Sequence, residues 1–232
     1  MNERDDTTVA WTVLCDFDGT ISLQDVTDTL LTRFGRPGWE ALEARWERGE
    51  IGSRECMKGQ VALLDMSQGE FEQHLQTITV DPHFSAFVDG ARAMGIPVMV
   101  VSDGIEQAIV QVLARQGLQR LPVLANRLVP TGARSWRLES PHASPRCERA
   151  SGNCKCARLA EQRGPRTRVL YVGDGASDFC VSGKADFVLA KDRLVDHCRA
   201  HGLAHAPFRH FGDVLSRLAA LVAADAEARV HP

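Results

Sequence analysis

No surplus of positive charge marks this chain. Its 27 lysines and arginines stand against 30 aspartates and glutamates, a formal charge of −3 over 232 residues. The electrostatic footprint of a nucleic-acid or anionic-membrane binder is therefore missing. Apolar runs such as residues 96–101 fall far short of the ~20 residues that a membrane-spanning helix needs. Residues 1–8 are polar and of mixed charge, with no hydrophobic stretch behind them, and no secretory leader is expected. Internal repeats and low-complexity tracts are absent, and a composition close to the globular average excludes collagen-like chains, disordered tails and coiled coils. Cysteine is neither dense nor even in number: seven residues lie at 15, 56, 147, 154, 156, 180 and 198. That pattern does not suit a secreted disulfide scaffold and fits a reducing, cytoplasmic compartment.

What is present is ordinary globular material, 44% hydrophobic and 25% charged, in a chain long enough to bury a core without staples. Short Val/Ile/Leu-rich runs at 11–16, 97–102, 169–173 and 187–190 read as strands covered on both faces, with a weaker one at 122–125. Helical patterns alternate with them. Those at 82–94 and 105–116 run into Gly95 and Gly117, the expected C-terminal stops. The alternation predicts an α/β fold with a doubly wound parallel sheet.

Residues 21–80 break the alternation. They carry helical segments at 26–34, 38–48, 53–64 and 67–77 with no convincing strand, more than a crossover needs. A small all-α cap inserted after the first strand is expected, with 1–20 and 81–232 forming the core. Residues 127–155 read as a long connection with turn signals and weak alternation at Leu128, Trp136 and Leu138. Loops of that length are usually functional.

In open parallel sheets, ligands bind outside the carboxyl ends of the strands. The first strand ends in Asp16-Phe17-Asp18-Gly19-Thr20, the second in Ser102-Asp103-Gly104, and the run at 169–173 leads into Asp174-Gly175-Ala176-Ser177-Asp178. Asp and Gly populate turns in any protein, which accounts for one such segment but not for three delivered to one rim. Clustered carboxylates raise one another's pKa unless a cation joins them. Hard oxygen ligands with no His or Cys beside them select Mg2+. A turn after the first strand lets Asp16 reach the metal by its side chain and Asp18 by its backbone carbonyl, leaving the Asp18 side chain for proton transfer.

These segments, in this order and with a lysine before a helix, resemble the haloacid dehalogenase (HAD) superfamily of phosphatases over nearly the whole chain. The resemblance implies a Rossmann-like core. It also implies that Asp16 attacks phosphorus and forms an aspartyl-phosphate, while Asp18 serves as acid and then as base. Ser102 and the backbone N–H groups of Asp103 and Gly104 would hold phosphate oxygens. Asp174 would join Asp16 and Asp18 on magnesium, and Asp178 would supply a supporting acidic contact. The fixed cation opposite the nucleophile is Lys155 in Gly152-Asn153-Cys154-Lys155, with Arg158 as its geometric alternative.

The position of the insert is that of the type-1 cap. It is similar to caps of phosphoserine phosphatases, of methionine-salvage phosphatases acting on 2-hydroxy-3-keto-5-methylthiopentenyl-1-phosphate, and of phosphocholine/phosphoethanolamine phosphatases. Local segments look most like the methionine-salvage group: residues 15–21, Pro37-Gly38-Trp39, the Cys-rich run 141–156, and 191–194 with 205–208. Where the phosphoserine group reads its substrate's carboxylate with an arginine before a V-x-L-L segment, Gln60 precedes Val61-Ala62-Leu63-Leu64, and Arg54 lies nearly two turns earlier. The expected substrate is a small phosphorylated metabolite. A phosphotransferase and a catalytically silent binding protein on the same fold stay open, and oligomeric state is not legible.

Weaker constellations have plainer readings. Cys147, Cys154, Cys156 and His142 lack the spacing of common zinc modules and read as loop packing. His197 and His201 read as surface residues, and Trp39 and Trp46 as cap core. Asp25 and Asp28 either cap a helix or overhang the site.

Overall fold

The computed structural model describes residues 9–230, with side chains through 227; the polar start at 1–8 lies outside the described residues. The strands are Ala10–Cys15 (β1), Val98–Ile105 (β2), Val123–Pro130 (β3), Trp136–Glu139 (β4), Thr167–Gly173 (β5), Phe187–Ala190 (β6) and His205–Pro207 (β7). They form one sheet in the order β4-β3-β2-β1-β5-β6-β7, parallel throughout except for the antiparallel pair β3–β4. Val13, Leu14, Val100, Val101, Leu170 and Val172 of the central strands are fully buried, which is why their sequences run apolar without alternating. The strand order reverses beside β1, so the ligand crevice of the fold opens at the carboxyl end of that strand.

Four helices lie between β1 and the helix preceding β2: Val26–Phe34 (α1), Trp39–Glu47 (α2), Ser53–Ala62 (α3) and Gln68–Leu75 (α4). The segments entering and leaving this insert run side by side. Ser22 bridges Val80, Leu23 N–H donates to the Thr79 carbonyl at 2.9 Å, and Asp81 N–H donates to the Ile21 carbonyl at 2.9 Å. Asp25 caps α1 by accepting from the Asp28 N–H at 3.0 Å, and Ser67 with Glu70 forms a reciprocal capping box at the start of α4. Leu30, Val61, Leu64, Met66 and Phe71 of the insert join the same apolar cluster as Phe84 and Phe87 of Phe84–Ala93 (α5). The insert therefore folds onto the sheet's own core rather than around a separate one.

The remaining helices are Glu106–Ala114 (α6), Lys155–Gln162 (α7), Phe179–Ser182 (α8), Asp192–Ala200 (α9) and Phe211–Val230 (α10). Gly95 and Gly117, with φ of +71° and +75°, end α5 and α6 in the left-handed conformation that glycine adopts without penalty. The connection at 127–155 is not all loop. Its first part extends β3 and then returns as β4, with Leu128 paired to Leu138. The three residues flagged by weak alternation, Leu128, Trp136 and Leu138, are buried. Trp136 also donates its indole N–H to the Met66 carbonyl at 2.8 Å, tying the hairpin to the insert. None of the helices is long and apolar enough to cross a membrane among the described residues.

Candidate active site

β1 ends at Cys15, so Asp16 stands at the strand's mouth, 4% exposed, with its N–H donating to the Val172 carbonyl of β5. One Asp16 carboxylate oxygen accepts from the Phe17 N–H at 2.8 Å, and the other meets Lys155 Nζ at 2.7 Å. Lys155 is the first residue of α7, an eight-residue helix packed against β2 and β5 on either side of β1, and is 3% exposed. Its ammonium also donates to Asp178 at 2.6 Å and to Ser177 Oγ at 3.0 Å. Burial works against this ammonium, but the Asp16 and Asp178 carboxylates overcome it and raise the Lys155 pKa. Arg158 pairs instead with Glu161 at 2.8 Å, one turn away on the same helix. The cation opposite Asp16 is Lys155.

Asp178 is fully buried and its oxygens are committed. Oδ1 accepts from Lys155 and from the Tyr171 hydroxyl, at 2.5 Å, while Oδ2 accepts from the N–H groups of Asp174 and Gly175 at 3.0 and 3.2 Å. Burial opposes its charge, yet Lys155 and these hydrogen bonds hold Asp178 below the usual carboxylate range. Asp174 accepts from Thr20 Oγ at 2.8 Å. Burial and the Asp178 charge push it up to about 6. A side chain in place of Gly19, whose φ is +72°, would put its Cβ 2.5 Å from an Asp174 oxygen. Chain conformation and close approach thus both require glycine there.

Ligand oxygens of Asp16, Asp174 and Asp178 lie within 4.8 Å of one another. Three carboxylates against the single ammonium of Lys155 leave an excess of negative charge, and burial with the Asp178 charge pushes the Asp16 carboxyl up. A divalent cation removes that excess, and an all-oxygen donor set suits magnesium. Because Asp178 is saturated, Asp16 and Asp174 are the side chains with capacity to spare. The cysteine-rich run offers no rival centre. Cys147 contacts Ser151 Oγ at 3.1 Å and Cys156 contacts Cys180 at 3.4 Å. These thiols and His142 bring no three ligand atoms together among the described residues.

Asp18 is half-buried under the insert. It accepts from the Val26 N–H at 2.9 Å and from Ser102 Oγ at 3.4 Å. Burial and then the neighbouring Asp25 charge push its carboxyl up to about 8, so it holds a proton at neutral pH. Ser102 lies where β2 departs from regular pairing with β3, in the register shift between Val101 and Ile105, a place where bulges re-aim side chains. Its hydroxyl accepts from the Gly104 N–H at 2.9 Å. Asp103 acts as a hub: it accepts from Asn126 at 3.1 Å, from the Asn153 N–H at 2.8 Å and from Ser53 Oγ of the insert at 2.5 Å. Asn153 also donates to the carbonyls of Ser102 and Leu124 at 3.0 and 2.7 Å, fixing the loop that delivers Lys155.

Above these groups lies a cavity of about 370 Å³, floored by Asp16, Asp18, Ser102 and Asp174 and roofed by α1, α2 and α3. Asp25 both caps α1 and lines the cavity, and Asp28 in the first turn of α1 lines it as well. The two tryptophans part company: Trp39 packs against the core, whereas Trp46 faces the cavity. Arg54 is exposed and does not line it. Tyr171, Asn153, Ser53 and Glu43 are the cavity's neighbours that the sequence did not single out. A polar-tipped tyrosine in an otherwise aliphatic buried strand was the one available signal.

Comparison with known proteins agrees with this geometry. The model of the haloacid dehalogenase-like hydrolase family matches residues 13–182. A 2-hydroxy-3-keto-5-methylthiopentenyl-1-phosphate phosphatase of Geobacillus kaustophilus is 32% identical over 213 residues, 89% of this chain and 94% of that protein. A phosphatase of the same name from an Exiguobacterium species is 30% identical, covering 87% and 94%. Among solved structures, a substrate-bound phosphoserine phosphatase superposes with a TM-score of 0.68 at 19% identity, covering 91% of this chain and 99% of that one. That likeness concerns the fold. The extent of the family match and the identity to these relatives place the chain among the haloacid dehalogenase-like hydrolases, in their phosphatase branch.

Proposed function

We propose that this hydrolase cleaves a small phosphomonoester with Mg2+, by way of an aspartyl-phosphate on Asp16, and that its substrate is of the 2-hydroxy-3-keto-5-methylthiopentenyl-1-phosphate type. The observation that carries the chemistry is the pairing of Asp16 with buried Lys155, beside an Asp18 whose carboxyl burial and the Asp25 charge push up to about 8. In this reading an Asp16 oxygen forms a bond to phosphorus as the bond to the leaving alkoxide breaks, and Asp18 gives that alkoxide its proton. Asp18, now ionised, takes a proton from water. The resulting hydroxide attacks phosphorus, and phosphate leaves with Asp16 restored. Lys155 orients Asp16 and offsets charge on the equatorial oxygens, which the Ser102 hydroxyl and the backbone N–H groups of Asp103 and Gly104 also hold. Asp178 acts through Lys155 and the 174–175 backbone. Asp16, Asp174 and the Asp18 carbonyl would hold magnesium, which would supply positive charge that screens the phosphate from the attacking carboxylate.

Residues 21–80 serve as the cap in this reading. A cavity of about 370 Å³ under three helices suits a metabolite and excludes a folded phosphoprotein. Trp46 and Met57 give the cavity a soft, apolar stretch that fits a methylthio end, since thioethers pack well against aromatic rings and sulfur. Phosphoserine is the weaker candidate, because Gln60 stands where a carboxylate-reading cation is needed and Arg54 is turned away. The test is phosphate release from a panel of small phosphoesters with magnesium and with chelator. Turnover that ignores chelator, or activity confined to folded phosphoproteins, would overturn the reading.

A further inference from the structure

The tail end of the cavity carries an unusual polar contact. Gln60 of α3 is 2% exposed and donates its side-chain amide to Glu43 Oε2 of α2 at 2.8 Å. Cys56 approaches the same oxygen at 3.8 Å. An arginine in that place would neutralise Glu43; an amide fixes the carboxylate without cancelling its charge. Glu43, Asp25, Asp28 and Glu47 all line the cavity, and the cation on its lining, Arg193, comes from α9 of the core rather than from the insert.

We propose that Glu43, positioned by Gln60, determines specificity at the leaving-group end: it turns away phosphoesters with an anionic tail and accepts a hydrogen bond from a hydroxyl or ammonium on a non-anionic one. This rests on the phosphatase reading above. The physical basis is two-sided, as discrimination usually is. A tail carboxylate in the cavity faces a carboxylate that cannot swing away, because buried Gln60 holds it. A tail donor meets a charged acceptor already in place, and hydrogen bonds to charged groups are the stronger kind.

The test uses two esters that differ only in a carboxylate for a hydroxymethyl group, 3-phosphoglycerate and glycerol 3-phosphate, with O-phosphoethanolamine to separate ammonium from hydroxyl donors. The wild type is expected to favour glycerol 3-phosphate in kcat/KM by about tenfold or more. Glu43→Gln should shrink that preference by about tenfold, chiefly through a lower KM for 3-phosphoglycerate. Gln60→Met, which releases Glu43 while keeping bulk, should shrink it partway and supplies the result should Glu43→Gln fail to fold. The same ratio of dissociation constants, from calorimetry in an Asp16→Asn background, measures the wall without turnover. Hydrolysis of p-nitrophenyl phosphate by the wild type separately tests the phosphatase reading. A wild-type preference for 3-phosphoglycerate would assign the tail end to Arg193, and a preference unmoved by Glu43→Gln would leave Glu43 without this role. Either result overturns the proposal.

Discussion

Two carboxylates and a serine hydroxyl share the ammonium of Lys155, at 2.7, 2.6 and 3.0 Å, and the lysine is itself buried. Replacing it by a methionine of similar length leaves Asp16 and Asp178 buried without their counter-charge. The expected cost is about 3–5 kcal/mol of stability together with a ~10²–10³-fold loss of kcat, read from urea melts and steady-state kinetics. Arg158→Met should change stability by less than ~0.5 kcal/mol, since its partner Glu161 is half-exposed. The opposite pattern would hand the cationic role to Arg158. Asp16→Asn is a different kind of change. The amide cannot attack phosphorus, so turnover should vanish, while removal of one like charge beside Asp174 and Asp178 keeps the fold at least as stable without metal. Residual phosphate release by a wild-type-free preparation would take Asp16 out of the nucleophile's position. The residues at strand ends were legible because sequence fixes which side chains follow a strand. Tyr171 and Asn153 were not, because their roles consist of contacts across the fold: a hydroxyl on Asp178 and an amide spanning two strands.

Between elements, the α2–α3 contact decides what a cation at position 60 could do. From sequence alone, Gln60→Arg restores a reader for the phosphoserine carboxylate. In the fold that arginine meets Glu43 first, because Gln60 already points at it, and an arginine–carboxylate pair would form inside the protein. The single variant should therefore raise kcat/KM for phosphoserine less than ~3-fold, whereas Gln60→Arg with Glu43→Gln should raise it by ~10-fold or more, about 1.4 kcal/mol. A single variant that performs as well as the double would show that Glu43 does not compete. The insert's helices were legible from their periodicity and the absence of strands, and so were the stops at Gly95 and Gly117. The β3–β4 hairpin was half-legible: Leu128, Trp136 and Leu138 alternated, but a four-residue strand among turn signals does not stand out from a loop. β7, three residues long and ending in Pro207, carries no pattern of its own, since its place depends on β6 beside it.

Across the whole molecule, carboxylates set the dependence of stability on pH. Asp18 is pushed up to about 8, Asp25 to about 7 and Asp174 to about 6, burial being the first cause in each. A carboxyl with a raised pKa binds more protons folded than unfolded between its ordinary value and its folded one, so the folded state loses ground as pH rises through that window. Asp178 has the reverse sign, but its lowered pKa places its window below the ordinary carboxylate value. His74, His142 and His197, lowered by burial, and Cys180, lowered to about 7, also have the reverse sign and blunt the fall at either end of the range from 5 to 8. Metal-free protein should accordingly melt at progressively lower temperature as pH rises from about 5 to about 8, by several degrees in all. Asp18→Asn should make the slope shallower across the whole range, with the largest proportional effect from about 7 to 8, above the folded values of Asp25 and Asp174. Magnesium should oppose the trend, because it binds the ionised carboxylates of Asp16 and Asp174 and stabilises the folded state more as they lose their protons. Thermal melts across this range, with chelator and with magnesium, separate the two effects. A chelated protein whose melting temperature climbs toward pH 8 would mean that these carboxyls ionise in the fold as easily as in water, and that Asp18 carries no proton to give a leaving alkoxide.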